Sequence, residues 1–458
     1  MMPRRRVGAE DGAVGPHPHP YRTLLASFAA WKLFLLTIAL GSILAGDAYD
    51  TSAGLLLLQG DQEEGRSNAT AGRPPEEGLG IRLITRLTSW DAVYFVSTAH
   101  RGYRFEQEWA FGAGLPFTVR NLLRGLTHIG VLDPSAAGGK PVPEALTGIA
   151  IANTAHLLSA LVLYRLGQVV WRDHTLSLVA ALVHIISPAG LFLSAPYAES
   201  SYALLSFSGF LLFALGCRAE GSPTRRDLYT IAAGALFGLA TAFRSNGILN
   251  GLPFALEALR HLPALPKRPF DTLRRLLALG VGGVMVAAGS LGPQTAAYLR
   301  FCSGPSGALP RPWCHQYLPS IFTFVQQHYW NVGFLCYWTL SNLPLFLLAT
   351  PMLTILTKSG MDTLRGRSIP AADGSAESAR LLSLVQSAAA AEVLLAVLAV
   401  TTYHVQIITR ISSGYPAWHW WLAGNLVRGE EAGSRIVMFM VLYASIQGAL
   451  FASFLPPA

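Results

Sequence analysis

The chain has 458 residues, of which 52% are hydrophobic and 13% are charged, and its mean hydropathy is +0.39. The charged fraction is about half that of a typical soluble domain. The composition therefore excludes a soluble globular enzyme and indicates a helical protein that crosses a membrane several times. The net charge of +8 does not indicate nucleic-acid binding, because most Lys and Arg residues lie in short loops between apolar stretches, where they orient the protein in the membrane.

The apolar stretches predict an all-α polytopic membrane protein that forms a single domain over residues 1–458. The stretch 24–45 follows the basic start of the chain and is too long for a signal-peptide core, so we interpret it as a retained anchor with a cytosolic N-terminus. A span needs roughly 20 apolar residues, so we expect about 9 to 11 spans. The segment 415–427 and the side of the C-terminus stay open. The further candidate helices are 146–170, 175–194, 200–217, 229–243, 247–260, 273–298, 333–357, 381–407 and 435–455.

Counting spans from a cytosolic N-terminus assigns the connecting segments to two sides of the membrane. The basic loops then fall on the cytosolic, or near, side, provided that the region 229–260 contains two spans. The opposite, or far, side receives almost every unusual polar cluster of the chain. This concentration predicts one site assembled on the far side from the segments 47–145, 194–200, 243–247, 299–332 and 404–416.

Two covalent features are predicted on the far side. The triplet that begins at Asn68 is a glycosylation sequon, which gives weak support for the lumen of the endoplasmic reticulum (ER). Cys302 and Cys314 lie in the same far-side loop and either form a disulfide bond or are two free thiols. The segments 60–80 and 358–380, rich in glycine and proline, are expected to be flexible connectors without chemistry.

Asp91 opens a short helical pattern just beyond the first span. Apolar residues follow it at helical spacing, at Ala92, Phe95, Val96 and Ala99. Asp91 is then either a simple helix N-cap or a carboxylate held at the membrane surface, where it would act as general base on an attacking hydroxyl. The segment 116–131 carries a second apolar face and predicts another helix in the interface plane.

Other charged residues on the far side are candidates for substrate contacts. Glu106 and Glu108 lie in an aromatic segment and are either solvated or hydrogen-bonded to sugar hydroxyls. Glu199 lies at the entrance of a span, where a carboxylate is a functional candidate unless it only faces water. Arg244 and Arg410 oppose the positive-inside trend. Each is either a phosphate clamp, through its charge and forked donors, or a snorkelling residue at a helix end.

Polar and aromatic residues near these charges complete the candidate site. We expect them to bind substrate or to line a lipid or sugar groove, although the aromatic ones equally suit an interfacial belt. His404 lies among them as a lone histidine, which is more often structural than catalytic. No convincing metal-ligand arrangement occurs, so we predict no metal and no cofactor. The residues are Trp90, Tyr197, Asn246, Trp330, Asn331 and Gln406.

The ordered set of far-side motifs resembles the GPI mannosyltransferase II family. The matching stretches are WDA…GYRFE…AF…GLP in 90–116, SPAGLFLSAPYAES in 187–200, RSNG in 244–247, PWC in 312–314, YWNVGFL in 329–335 and HVQIITR in 404–410. They follow the family's order and cover essentially the whole chain. The run FGAG at 111–114 replaces an FFPG-like run. Glu108 and His100 stand where other residue types are usual, which makes them weaker catalytic candidates than Asp91 and Glu106.

The resemblance implies a GT-C architecture, a multi-span helical bundle whose active site lies on the lumenal face of the ER membrane. The donor would be dolichyl-phosphate mannose, the acceptor the mannosyl-glucosaminyl-(acyl)phosphatidylinositol GPI precursor, and the new bond α-1,6. The β-linked donor and α-linked product imply a single inverting displacement. Asp91 would be its base, Arg244 or Arg410 would bind the phosphate, and Glu106 and Glu199 would position hydroxyls. Fungal relatives of this kind work with a small membrane accessory subunit.

The main alternative from another class is a polytopic transporter or scramblase for lipids or lipid-linked sugars. Such a protein is expected to carry polar residues at mid-bilayer depth and paired broken helices. The polar clusters of this chain instead lie at the ends of spans on one side, and no internal repeat is visible. A non-catalytic scaffold subunit is a third possibility, but it would not need carboxylates and arginines gathered on one side.

Overall fold

The computed structural model describes residues 19–59, 78–131, 138–303, 311–367 and 375–455. Within these ranges every regular element is helical, which confirms the predicted all-α polytopic class. The sequon at Asn68 lies outside the described residues, and so do parts of the predicted connectors 60–80 and 358–380.

The longer helices follow the predicted apolar stretches and the two predicted amphipathic segments. Short helical turns lie between several of them, at Glu106–Ala110, Gly190–Leu193, Ser245–Gly251, Pro312–His315 and Val405–Ile407. In chain order the helices are α1 (Pro20–Ala45), α2 (Leu79–Leu87), α3 (Asp91–Arg101), α4 (Gly114–His128), α5 (Val142–Trp171), α6 (His174–Ile185), α7 (Glu199–Arg218), α8 (Pro223–Phe243), α9 (Leu252–His261), α10 (Pro269–Phe301), α11 (Ile321–Trp330), α12 (Leu343–Leu364), α13 (Ala376–Thr401), α14 (Pro416–Val427) and α15 (Glu431–Ala452).

Among the described residues, 7 helices are long and apolar enough to cross a membrane. They are α1, α5, α7, α10, α12 with the turn before it, α13 and α15. Helices α6, α9 and α14 have only 10 to 12 residues, and α8 carries three charged side chains near its start. The predicted 9 to 11 spans therefore require some of these four helices to cross the membrane as well.

Several predicted helices are shorter than the apolar runs that predicted them, among them α9, which begins at Leu252 and not at 247. α6 ends at Ile185 and not at 194, because Pro188 follows and helices usually end before the residue that precedes a proline. α13 ends at Thr401 and not at 407. α12 begins at Leu343 and not at 333, because the segment before it covers the end of α13.

The segment 333–342 satisfies backbone groups that the end of α13 leaves open. The Leu335 amide donates to the Thr401 carbonyl over 2.6 Å, and the indole of Trp338 donates to the Val400 carbonyl over 2.8 Å. The last carbonyls of a helix have no partner within the helix. This apolar segment therefore caps the end of α13, and only its last three residues form a helical turn before α12.

Contacts between the connecting segments divide them into the two predicted sides. On the near side, Arg172 pairs with Glu377 over 2.7 Å and Arg275 pairs with Glu220 over 2.7 Å. On the far side, the Tyr197 hydroxyl donates to the Ser89 carbonyl over 3.0 Å. Arg226, near the start of α8, pairs with Asp271 on the near side, and α8 ends on the far side. α9 then returns to the near side, because its Glu257 pairs with Arg275. The chain therefore runs from one side of the bundle to the other and back in this region, as the two predicted passes within 229–260 require.

The region 415–427, left open by the sequence, is the helix α14. Its start lies on the far side, where the Tyr415 hydroxyl donates to the Asn246 carbonyl over 3.1 Å. Its middle reaches the near side, where the Trp421 indole donates to Asp362 over 3.2 Å. α15 then returns, and the Ala452 carbonyl at its end accepts from Arg86 on the far side.

Candidate active site

A cavity of about 550 Å³ lies among the far-side ends of the helices. It contains seven of the predicted site residues, which come from four separate parts of the chain. Aromatic side chains form much of its remaining wall, which suits a sugar ring or an isoprenoid chain. The predicted residues that line it are Trp90, Asp91, Arg244, Asn246, Trp330, Gln406 and Arg410.

Asp91 is the first residue of α3, and its side chain does not cap the helix. Its Oδ2 instead accepts a hydrogen bond from Nη1 of Arg410 over 2.9 Å, across 319 positions of sequence. The side chain is 28% exposed, so it is reachable from the cavity. The simple capping interpretation is therefore wrong, and Asp91 is a member of an ion pair at the cavity wall.

Trp90 enters α3 with an unusual backbone. Its φ is 59°, a value that is uncommon for a bulky residue. Its ring packs against Phe454 with centroids 5.3 Å apart, and its indole nitrogen is buried without a hydrogen-bond partner among the described residues. The strained backbone turns the chain so that Trp90 and Asp91 both line the cavity.

Glu199 lies behind the cavity wall and connects two arginines. Its Oε1 accepts from Nη1 of Arg244 over 2.8 Å and lies 3.8 Å from Nε of Arg410. Glu199 is completely buried, so the interpretation as a water-facing residue is wrong. It does not line the cavity either, so the predicted direct contact with substrate is not what this geometry provides. Asp91, Arg410, Glu199 and Arg244 form one continuous chain of charges.

Aromatic rings hold Arg410 in place. Its guanidinium carbon lies 4.7 Å from the ring centre of Phe192 and 5.6 Å from that of Tyr197, distances at which a cation is attracted to an aromatic face. Burial lowers the pKa of Arg410, but the charges of Asp91 and Glu199 outweigh burial and raise it above its usual value. Tyr197 is therefore a supporting residue behind the cavity and not part of its lining.

Arg244 follows the last residue of α8, and a glycine loop fixes that helix end. A Cβ atom at Gly112 would overlap the Phe243 carbonyl, and one at Gly114 would overlap the Phe243 ring. The FGAG run at 111–114 therefore packs directly against the residue before Arg244. Two positions further, the Asn246 amide donates to the Tyr415 hydroxyl over 3.2 Å, which ties this turn to the start of α14.

His404, Gln406 and Trp330 form the opposite part of the cavity wall. The Tyr337 hydroxyl donates to Oε1 of Gln406 over 3.3 Å, and the His404 ring packs between Trp330 and Tyr337. Burial lowers the pKa of His404, and Arg410 lowers it further against the opposing effect of Asp91. His404 is therefore a neutral cavity residue at neutral pH.

Glu106 lies outside the cavity, in a closed cluster. Its Oε1 accepts from the Trp313 indole over 2.9 Å, and its Oε2 accepts from the Tyr329 hydroxyl over 3.3 Å. Arg311 lies 3.7 Å from the same carboxylate. Glu106 is thus neither solvated nor placed next to Asp91. Its oxygens are already engaged, so the structure gives it a packing role in place of the predicted catalytic one.

Of the two alternatives for Cys302 and Cys314, the structure shows the disulfide bond, with Cα atoms 5.6 Å apart. It holds the turn that carries Trp313 against the end of α10, next to Glu106. Glu108 also has a structural contact, because it accepts from Arg101 over 2.6 Å. Asn331 ends α11 with φ of 50° and is exposed away from the cavity. Glu108 and Asn331 therefore do not belong to the site.

The sequence analysis missed several cavity residues. Most are aromatic side chains, on short helices or in the turns between helices, and an apolar residue type cannot distinguish a cavity wall from a buried core. Gln326 is the exception, because a polar residue on an apolar helix is a visible signal. Within the described ranges, no three His, Cys, Asp or Glu residues lie close enough to share a metal ion. The missed residues include Tyr94, Phe192, Phe322, Gln326 and Tyr403.

Comparison with known proteins assigns this architecture to a family. The model of the family described as Mannosyltransferase (PIG-V) matches residues 77–458, which include every residue that lines the cavity. The chain belongs to this mannosyltransferase family. It is therefore an enzyme of the glycosyltransferase class, and the transporter and scaffold alternatives are not supported.

Relatives of this mannosyltransferase match it over nearly its full length. GPI mannosyltransferase 2 of Chaetomium globosum is 73% identical, and the match covers 96% of this chain and 97% of that protein. The proteins of the same name from Gibberella zeae and Yarrowia lipolytica are 45% and 33% identical, each over 96% of this chain and over 98% and 99% of their own lengths.

Solved structures resemble the mannosyltransferase only weakly. The apo oligosaccharyltransferase of Archaeoglobus fulgidus matches with a TM-score of 0.38 and 16% identity, over 93% of this chain and 56% of its own. The complex of that enzyme with an inhibitory peptide and a dolichol-phosphate has a TM-score of 0.36 and 14% identity, over 93% of this chain and 55% of its own. Similarity at this level carries no argument about architecture or mechanism.

Proposed function

We propose that this mannosyltransferase transfers the second mannose, in α-1,6 linkage, from dolichyl-phosphate mannose to the mannosyl-glucosaminyl-(acyl)phosphatidylinositol GPI precursor. The observation that carries the proposal is the chain of charges from Asp91 through Arg410 and Glu199 to Arg244 beside an aromatic cavity. It combines a candidate base with cations suited to a phosphate leaving group. The names of the relatives support the acceptor class.

The proposed reaction is a single inverting displacement with Asp91 as general base. An acceptor hydroxyl gives its proton to Asp91 while its oxygen forms a bond to the anomeric carbon, and the bond from that carbon to the donor phosphate oxygen breaks. Oδ2 of Asp91 is engaged by Arg410, and no described residue donates to Oδ1, which leaves an oxygen for the acceptor proton. A positioned base of this kind contributes roughly 10²- to 10⁴-fold to the rate.

Arginine supplies the positive charge that the leaving group needs. The bond electrons go to dolichyl phosphate, and a guanidinium in a cavity of low polarity stabilises the growing negative charge. Arg244 and Arg410 both line the cavity, and no step of the proposal uses a metal ion. Glu106 has no part in the proposed chemistry, because Trp313 and Tyr329 already engage its oxygens.

We place the reaction on the lumenal side of the ER membrane, within a bundle of GT-C type. The far-side position of the cavity and the basic segments on the near side support this orientation. Apolar side chains on α4 and in the segment 333–342 are exposed, including Phe117, Leu122 and Phe334. Such surfaces suit the interface from which two lipid substrates enter sideways. A small membrane accessory subunit remains part of the proposal.

The direct test is Asp91→Asn in the purified enzyme with dolichyl-phosphate mannose and the GPI precursor. We expect kcat to fall by about 10²-fold or more, because the amide cannot accept the proton. Asp47→Asn is the matched control, since Asp47 is an exposed carboxylate on the same side of the bundle and should leave kcat unchanged. Near-normal turnover by Asp91→Asn would exclude Asp91 as the base.

A further inference from the structure

The two cavity arginines have different surroundings, although both contact Glu199. Arg410 donates to Asp91 through Nη1, lies 3.8 Å from Glu199 through Nε, and has its guanidinium carbon 4.7 Å from the ring centre of Phe192. Two carboxylates and an aromatic ring therefore engage Arg410 from separate directions. A guanidinium held in this way is oriented by the protein before any substrate arrives.

The side chain of Arg244 has one polar contact among the described residues. Its Nη1 donates to Oε1 of Glu199 over 2.8 Å, and no described residue accepts from its Nε or Nη2. A guanidinium carries five N–H donors, so most of those of Arg244 remain available. Its side chain is 15% exposed and lines the cavity, whereas Glu199 behind it is completely buried.

The charge balance also differs between the two arginines. The negative charge of Asp91, together with part of that of Glu199, compensates most of the positive charge of Arg410. Arg244 has only the shared oxygen of Glu199. An anion that enters the cavity therefore meets less competition at Arg244, where it does not have to displace a carboxylate that is already bound.

We propose a division of labour in which Arg244 binds the phosphate of the lipid donor, while Arg410 is a positioning residue that orients Asp91. Glu199 is the buried anchor that spaces the two arginines. This inference rests on the proposed function, because it assigns roles within that reaction. It replaces the direct contact of Glu199 with substrate that the sequence analysis predicts.

Kinetics with dolichyl phosphate as the probe test the assignment. Dolichyl phosphate carries the phosphate without the sugar and should inhibit as the product. Arg244→Gln should raise its Ki and the donor KM at least tenfold, and Arg244→Lys should restore part of the loss. Arg410→Gln should leave that Ki within twofold and lower kcat at least tenfold.

Controls separate phosphate binding from general damage to the fold. Arg124→Gln removes an exposed far-side arginine outside the cavity and should change neither constant. Dolichol, which lacks the phosphate, should not distinguish Arg244→Gln from the wild-type enzyme. Glu199→Gln should show both defects together, since its buried carboxylate contacts both arginines. Each variant is compared only if it purifies as a monodisperse protein.

The outcomes separate this inference from the proposed function. If Arg410→Gln raises the Ki of dolichyl phosphate as much as Arg244→Gln does, or if Arg244→Gln leaves it unchanged, the division of labour is wrong. If the wild-type enzyme neither transfers mannose from dolichyl-phosphate mannose nor is inhibited by dolichyl phosphate, the proposed function fails and the roles fail with it. Loss of kcat alone in both arginine variants would also overturn the assignment to Arg244.

Discussion

Asp91 and Glu106 are two carboxylates of the same far-side segment, 15 positions apart, yet their surroundings differ completely. Asp91 lines a cavity, has a side chain that is 28% exposed, and is paired with one arginine. Glu106 has a side chain that is 6% exposed, and Trp313, Tyr329 and Arg311 surround it. The groups that pack around a carboxylate decide whether it is available for chemistry or holds two segments together.

The difference also separates two regions of the far side. The cavity region is formed by the ends of membrane spans, and its chain of charged residues reaches the open cavity. The Glu106 cluster consists of Glu106, Trp313, Tyr329, Arg311 and the disulfide bond, and it has no comparable opening. Changes in the cavity should therefore alter kinetics, and changes in the cluster should alter stability.

The largest contrast is expected between Asp91→Asn and Glu106→Gln. The first should lower kcat about 10²-fold or more per folded molecule. The second should keep kcat per folded molecule and lower the free energy of unfolding by roughly 1–3 kcal/mol, because it weakens buried hydrogen bonds to a charged acceptor. Turnover measurements and thermal unfolding in detergent check both. A Glu106→Gln enzyme that is stable but inactive would contradict the division.

Removal of the disulfide bond should be the largest change of stability within the Glu106 cluster. The paired substitution Cys302→Ser and Cys314→Ser opens a short loop, for which we expect a loss of about 2–4 kcal/mol. The donor KM of the folded fraction should stay within twofold, because neither cysteine lines the cavity. Cys336→Ser, at an exposed free thiol, is the control. A tenfold rise in donor KM would show that the two regions are coupled.

Gly112→Ala tests whether the glycine loop at 111–114 affects the cavity, because this loop contacts the end of α8. A methyl group there overlaps the Phe243 carbonyl, and relief of such overpacking costs roughly 1–3 kcal/mol. The shift should also displace Arg244 and raise the donor KM. Gly125→Ala is the matched control, since a Cβ at Gly125 meets nothing within 4 Å. An unchanged donor KM in Gly112→Ala would mean that the loop does not position Arg244.

The smallest effect is expected for His404, through the pH dependence of stability. Burial lowers the pKa of His404. Below about pH 6.5 the unfolded chain therefore binds a proton at this residue that the folded chain does not. The free energy of unfolding falls as the pH drops through this range. His404→Gln removes this contribution. Between pH 7.5 and 5.5 the variant should lose less stability than the wild-type protein. A variant with the wild-type pH dependence of unfolding would exclude the effect.

Much of the architecture could be predicted from the sequence, because local patterns carry that information. Apolar length marks the spans, and the distribution of basic residues divides the loops between two sides, including the two passes of α8 and α9. The same division brought Cys302 and Cys314 into one loop. Helix boundaries such as those of α6 and α12 could not be predicted, since an apolar run looks the same in a helix and in the irregular segment 333–342.

The sequence by itself determined the membrane class, the division of the loops into two groups, the family resemblance and the set of candidate residues. Only the tertiary structure decided which of them share a cavity. Asp91 and Arg410 meet across 319 positions, and Glu199 turns out to lie behind the arginines, while Glu106 is closed off by Trp313. The physical reason is that a residue's type sets the chemistry it is capable of, whereas burial and partners contributed by distant helices decide which of its atoms remain free to act.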